Sequence, residues 1–288
     1  FDTARVISSY SDVIAMRHPQ AGSVAEFAVG SRVPVLNGGD GANEHPTQAL
    51  LDLFTIEREL AASGQSIDGM HIAMVGDLKF GRTVHSLSKL LKLYKNLRFT
   101  LIAPKELAMP DEIVGAIENA GHQVTYLVQE KSGDDAAVSV NDSLIKKGIA
   151  WLRFILERLY FLPHEKDKSI RFLFNPGVFG QNLSQHPSIK SADIIHLHWM
   201  NFGFMGISDI SKLFKLGKPV IWTLHDMWAF TGGCHHSGEC LNFQASCGNC
   251  QEFIKNPSTN DLSHQLWQEK FKTFQASNLH IITCSDWL

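Results

Sequence analysis

Arg17, His45, Gln48 and Arg82 are the side chains of this sequence best suited to a shared reaction. Arginine clamps carboxylate or phosphate through two parallel hydrogen bonds. Imidazole and amide groups can polarise and orient a carbonyl. Arg17 ends an apolar run, where sheet proteins place ligand-contacting groups. His45 and Gln48 flank Pro46, a helix-opening residue, and unpaired N–H groups at a helix start favour anions. Arg82 follows Gly81 at another strand-to-helix turn. Together the four suit a doubly anionic substrate with a polarised carbonyl.

A second set lies further along. The apolar run 220–224 ends in His225-Asp226, read either as a ligand-contacting pair or as a strand-end cap. Four cysteines follow at Cys234, Cys240, Cys247 and Cys250. The Cys247-Gly-Asn-Cys250 spacing is that of a zinc half-site, and His235 and His236 are spare donors. Structural zinc, disulfides and free thiols are all open readings. Cys284 reads as a small buried apolar residue.

The elements that must carry these groups alternate. Strands are expected at 11–17, 32–36, 70–75, 99–103, 122–129, 193–198, 220–224 and 280–284. Helices are expected at 46–62, 83–93, 110–120, 144–161, 207–216 and 261–276. Alternation of this kind predicts an α/β fold of three-layer, doubly wound, mostly parallel sheets, Rossmann-like in type. The polar segment 130–142 reads as a surface loop. On the helix 144–161, Trp151, Phe154, Ile155, Leu159 and Phe161 form an apolar stripe, with Arg153, Glu157 and Arg158 opposite. That stripe is expected to pack on a sheet, and a membrane-surface role is the alternative.

Composition excludes some partners. The net charge of −3 gives no reason to expect nucleic acid. No apolar run is long enough for a membrane span. The N-terminal residues lack a signal-peptide layout, and a cytoplasmic setting is expected. Composition also shifts along the chain. Residues 1–126 contain no Trp and no Cys, whereas all six Trp and all five Cys follow.

Residues 1–126 resemble the catalytic chain of aspartate carbamoyltransferase. The resemblance rests on Met-Arg-His-Pro-Gln at 16–20, Pro-Val-Leu-Asn at 34–37, His-Pro-Thr-Gln at 45–48 and Gly-Asp-Leu-Lys-Phe-Gly-Arg-Thr-Val-His-Ser at 76–86. It implies condensation of carbamoyl phosphate with L-aspartate, without a cofactor, in a trimeric enzyme of pyrimidine biosynthesis. Arg17 and His45 would then contact the carbamoyl oxygen, Gln48 the carbamoyl amino group, and Arg82 an aspartate carboxylate.

Residues 127–288 resemble the N-terminal, acceptor-side domain of a bacterial family 4 glycosyltransferase. The carriers are Asp-Ile-Ile-His-Leu-His-Trp at 193–199, the run Gly217 to His235 and Ile-Thr-Cys-Ser-Asp-Trp-Leu at 282–288. This implies a GT-B architecture, a nucleotide-sugar donor and a glycan acceptor, with His225 near the transferred sugar, and a setting peripheral to the inner membrane. The first family's Ser-Thr-Arg-Thr-Arg and His-Pro-Leu-Pro loops have no counterpart in the sequence; His186-Pro187 is followed by Ser-Ile. The reading is a chimera joined near Tyr126, not catalytically competent alone. It would comprise a carbamoyl-phosphate-domain fragment at 1–63, the start of an aspartate-binding domain at 64–126 and a glycosyltransferase portion at 127–288. A composite sheet across the join is compatible with this reading.

Overall fold

The computed structural model describes residues 1–41, 44–128, 138–139 and 144–283. Its chain opens with α1 (Asp2–Ile7), β1 (Ile14–His18), α2 (Ser23–Gly30), β2 (Val35–Asp40) and α3 (Pro46–Ala62). Next come β3 (His71–Val75), α4 (Arg82–Leu91), β4 (Arg98–Ala103), α5 (Asp111–Asn119), β5 (Gln123–Val128) and the short β6 (Val138–Ser139). The remainder is α6 (Leu144–Phe161), α7 (Pro187–Ser191), β7 (Ile194–Leu197), α8 (Ile207–Phe214), β8 (Val220–Leu224), α9 (Leu262–Thr273) and β9 (Leu279–Thr283).

Two compact units result. The first comprises Phe1–Met70, Asp77–Arg98 and Glu106–Val124; the second comprises His71–Gly76, Phe99–Lys105 and Thr125–Leu288.

In the first unit β1 and β2 pair in parallel, Ile14 beside Val35 and Met16 beside Asn37. They form a two-stranded sheet; Leu36 in β2 and Val13 just before β1 are both exposed. Helix α3 starts at Pro46, whose missing N–H costs nothing there, and its N-cap is His45. Helix α3 packs on α4, which buries Val84, Leu87 and Leu91. Strand β2 lies later than expected, running through Asn37-Gly38-Gly39-Asp40 rather than ending at Leu36. Pairing with β1 extends a stretch whose glycines alone suggest a turn.

The second unit is built on a seven-stranded sheet in the order β6-β5-β4-β3-β7-β8-β9. Omitting β6, this is the 3-2-1-4-5-6 order of a doubly wound, Rossmann-like sheet. β3 and β7 pair in parallel, with Ile72 beside Ile194 and Val75 beside Leu197. One sheet therefore takes strands from both sides of Tyr126, as a composite arrangement requires. Every residue of β3, β7 and β8 is buried, which explains their near-continuous apolar sequences. The cluster beside them joins Ala73, Val75 and Ile102 to Leu197, Val220 and Trp222.

Helix α6 matches its expected bounds but not its expected orientation. Ala150, Glu157 and Phe161 face inward, while Trp151 and Leu159 are 67% and 55% exposed. Glu157 is fully buried because its carboxylate accepts backbone N–H bonds from Gly177 (2.5 Å), Val178 (3.1 Å) and Phe179 (2.9 Å). Three donors aimed at one carboxylate compensate its lost hydration, so a charge takes the inward place. Burial raises the Glu157 pKa, and the three amides oppose that rise. The segment 130–142 lies almost wholly outside the described residues, as does Cys284. Among the described residues, no helix is long and apolar enough to cross a membrane.

Candidate functional site

The first unit gathers the sequence-predicted cluster around one turn. Near the end of β2, Gly39 adopts φ +120°, a conformation that side chains rarely take. A Cβ there would lie 3.5 Å from Arg82 Nη1 and 3.5 Å from His45 Cδ2. Arg82 and His45 thus close over the same backbone. Arg82 Nη1 also donates to the carbonyl of Gly41 at 2.7 Å, tying the start of α4 to the loop after β2.

His45 is buried, and its backbone and side chain are both held. Its N–H donates to Ser86 Oγ at 2.9 Å. Its Nδ1 accepts from the Gln48 backbone N–H at 3.4 Å, as an N-cap acceptor does. That acceptor role leaves the proton on Nε2. Burial first, then the Arg82 and Arg17 guanidiniums, lower the imidazole pKa below its ordinary value. The ring is therefore neutral at pH 7, with Nε2–H as a donor. Arg17 is exposed at the end of β1 and close enough for its charge to act on His45. Gln48 is buried, and its Nε2 donates to Asp52 Oδ1 at 3.0 Å one turn along α3. That bond orients the amide and leaves its oxygen to accept.

Four supporting groups were not singled out from sequence: Gly39, Glu44, Ser86 and Asp52. Ser86 Oγ accepts from His45 N–H and donates to Glu44 Oε2 at 2.6 Å; Lys89 pairs with Glu44 on the other carboxylate oxygen. Ser86 ends one quoted motif and Glu44 directly precedes another, but no sequence spacing reveals a bond spanning 42 positions. Asp52 was legible in principle, four residues after Gln48 on one helix face.

The second set sits in the second unit. His225 follows β8 and is exposed; its Nε2 lies 3.2 Å from Nδ1 of the fully buried His198. Burial, with the charges of His196 and His225, drives the His198 pKa well down. Asp226 acts as a cap: its Oδ1 accepts from Trp228 N–H at 2.9 Å, and its Oδ2 pairs with His235 Nδ1 at 2.6 Å. The strand-end-cap reading of Asp226 therefore describes its geometry.

Cys234, Cys240, Cys247 and Cys250 are free thiols lining one cavity of about 300 Å³. Among the described residues, no group of three or more His, Cys, Asp or Glu is arranged to hold a metal ion, so the zinc expectation finds no support. Burial raises the Cys247 pKa to about 12 and that of Cys250 to about 11.

Comparison with known proteins shows similarity to carbamoyltransferases. The aspartate/ornithine carbamoyltransferase, carbamoyl-P binding domain family matches residues 1–58. The aspartate carbamoyltransferase catalytic subunit of Cellvibrio japonicus is 56% identical over 182 residues, covering 63% of this chain and 51% of that protein. The corresponding subunit of Saccharophagus degradans is 67% identical over 124 residues, covering 43% of this chain and 37% of its own length. The chain thus spans about half, or less, of the curated relatives it matches. Ligand-free aspartate transcarbamoylase from Trypanosoma cruzi aligns with a TM-score of 0.49 at 27% identity, over 77% of this chain and 56% of that one.

These findings overturn the reading of an incompetent chimera. A 182-residue similarity to carbamoyltransferase catalytic subunits extends beyond the 126 residues first assigned to that resemblance. The glycosyltransferase fragment, with its nucleotide-sugar and glycan partners, has no support in these matches.

Proposed function

We propose that the chain catalyses carbamoyl transfer from carbamoyl phosphate to the amino group of L-aspartate, giving N-carbamoyl-L-aspartate and phosphate. The observation that carries this reading is the neutral His45, donor nitrogen free of the N-cap bond, lying beside Arg82 and under the influence of Arg17. The amine nitrogen attacks the carbamoyl carbon. The C=O electrons move to oxygen, and Arg17 and His45 Nε2–H stabilise that developing charge. The oxyanion then collapses, the bond from carbon to phosphate oxygen breaks, and phosphate leaves with the electron pair. The proton lost by the amine goes to the departing phosphate or to water. Gln48, oriented by Asp52, holds the carbamoyl amino group through its amide oxygen. Arg82 holds a carboxylate of aspartate. No cofactor enters any of these steps.

Colorimetric detection of carbamoyl-aspartate from purified chain, with both substrates at millimolar concentration, tests the proposal. Turnover that disappears in Arg17→Ala and His45→Ala supports it. Turnover indistinguishable from the uncatalysed rate refutes it.

A further inference from the structure

We propose that the cavity between α9 and β9 binds an aromatic monocarboxylate, its ring among the aromatic side chains and its carboxylate on Lys270. On α9 and its C-cap, Trp267, Lys270, Phe271 and Phe274 recur at i, i+3, i+4 and i+7, so they share one helix face. That face, with Phe230 and Ile281, lines a cavity of about 390 Å³. The volume falls within the range of small-molecule sites, about 300–1,000 Å³. Phe271 and Ile281 are 55% and 51% exposed, so the cavity opens to water. Trp267 and Phe271 stack at 4.9 Å between ring centroids, and Trp267 Nε1 already donates to the Phe243 carbonyl at 3.1 Å. The walls therefore offer ring faces, which favour an aromatic guest.

Lys270 sets the charge of that guest. Among the described residues it is the one charged side chain that lines the cavity. It is 2% exposed, and its ammonium donates to the carbonyls of Trp228 at 2.6 Å and Thr231 at 3.2 Å. Those carbonyls bracket Ala229 and Phe230, both lining residues, so the ammonium lies against the cavity wall. Its Nζ also sits 3.8 Å from the centroid of a Trp228 ring. Carbonyls and a ring face hold the cation without neutralising it. Among the described residues no carboxylate pairs with it; Asp226, Glu269, Cys234 and Cys247 act on it through their charges alone. A buried charge without a counter-ion is costly, and burial lowers the Lys270 pKa to about 7. An anionic ligand removes that cost. Two N–H bonds go to carbonyls, and the third N–H is left for a carboxylate oxygen. Carbamoyl transfer plays no part in this binding.

Calorimetric titration of the full chain with 3-phenylpropanoate, and with 3-phenylpropan-1-ol as its neutral counterpart, tests it. The acid is expected to saturate at one site. The alcohol should bind about tenfold or more weakly, the usual worth of a hydrogen bond to a charged group. The ligand carboxylate stays ionised from pH 7 to 9, whereas Lys270 gives up its proton across that range. Affinity for the acid should therefore fall as the pH rises, while that for the alcohol stays level. Lys270→Met should erase the preference for the acid. Phe271→Glu, at the exposed mouth, should abolish binding of the acid with circular dichroism unchanged. If Lys270→Met misfolds, the acid–alcohol comparison and its pH dependence in the native chain decide. No saturable binding, equal binding of acid and alcohol, or a preference that survives Lys270→Met overturns the proposal. So does acid binding that Phe271→Glu leaves unchanged, or ligand-free dimerisation in ultracentrifugation that Phe271→Glu removes.

Discussion

Gly39 is where backbone geometry and chemistry meet most closely. Its φ of +120° is a conformation that L side chains rarely adopt, while Arg82 and His45 would meet a Cβ there at ordinary contact distance. Gly39→Ala is therefore expected to cost about 1–3 kcal/mol of stability, read from urea unfolding, and to weaken ligand binding. His45 touches both folding and chemistry, since loss of its N-cap acceptor should itself cost about 0.5–2 kcal/mol. His45→Ala should lower kcat by about 10²–10³-fold, the usual loss for one donor to a developing oxyanion. Steady-state kinetics measures this, and a change in KM alone would contradict the role. The lowered imidazole pKa also sets a pH direction. Activity needs the neutral ring, so it should persist to pH values below histidine's ordinary range and fall only as His45 protonates.

At the scale of elements, α3 and α6 show what could be read from sequence and what could not. The start of α3 was legible because Pro46 fits a first helical turn, and its end at Ala62 agrees with expectation. Strands β3 and β8 were legible as uninterrupted apolar runs. Strand β2 was misplaced because its glycines look like a turn until β1 is there to pair with them. The orientation of α6 was missed for a different reason. Periodicity separates two faces but assumes that the charged one meets water, and only the amides of 177–179 reveal an inward carboxylate. Likewise Arg17, His45 and Arg82 were legible as types, while the Glu44–Ser86 support was not. Glu157→Ala would strand one buried and two partly buried backbone donors. It is expected to cost about 1–3 kcal/mol, whereas a substitution at the exposed Leu162 should stay within about 0.5 kcal/mol. Denaturant titration of both variants checks the ordering.

For the whole molecule, pH reports on burial that no active-site assay sees. Lys270 is fully buried, donates to the carbonyls of Trp228 (2.6 Å) and Thr231 (3.2 Å), and has its pKa lowered to about 7 by burial. Unfolded, it titrates near its ordinary alkaline value, so between pH 7 and 9 the unfolded chain holds more protons. Stability must then rise with pH across that window. Above about pH 9 the sign reverses, because Cys247 and Cys250 stay protonated when folded and ionise when unfolded. Unfolding midpoints under reducing conditions should peak between these ranges, and Lys270→Met should flatten the rising limb.

Calorimetric titration of the intact chain with N-(phosphonacetyl)-L-aspartate probes the carbamoyl-transfer assignment most directly, since this ligand joins a carbamoyl phosphate mimic to an aspartate. The account predicts saturable one-to-one binding that Arg17→Ala and Arg82→Ala each weaken by tenfold or more, about 1.4 kcal/mol. No measurable binding, or binding that neither variant changes, would contradict it.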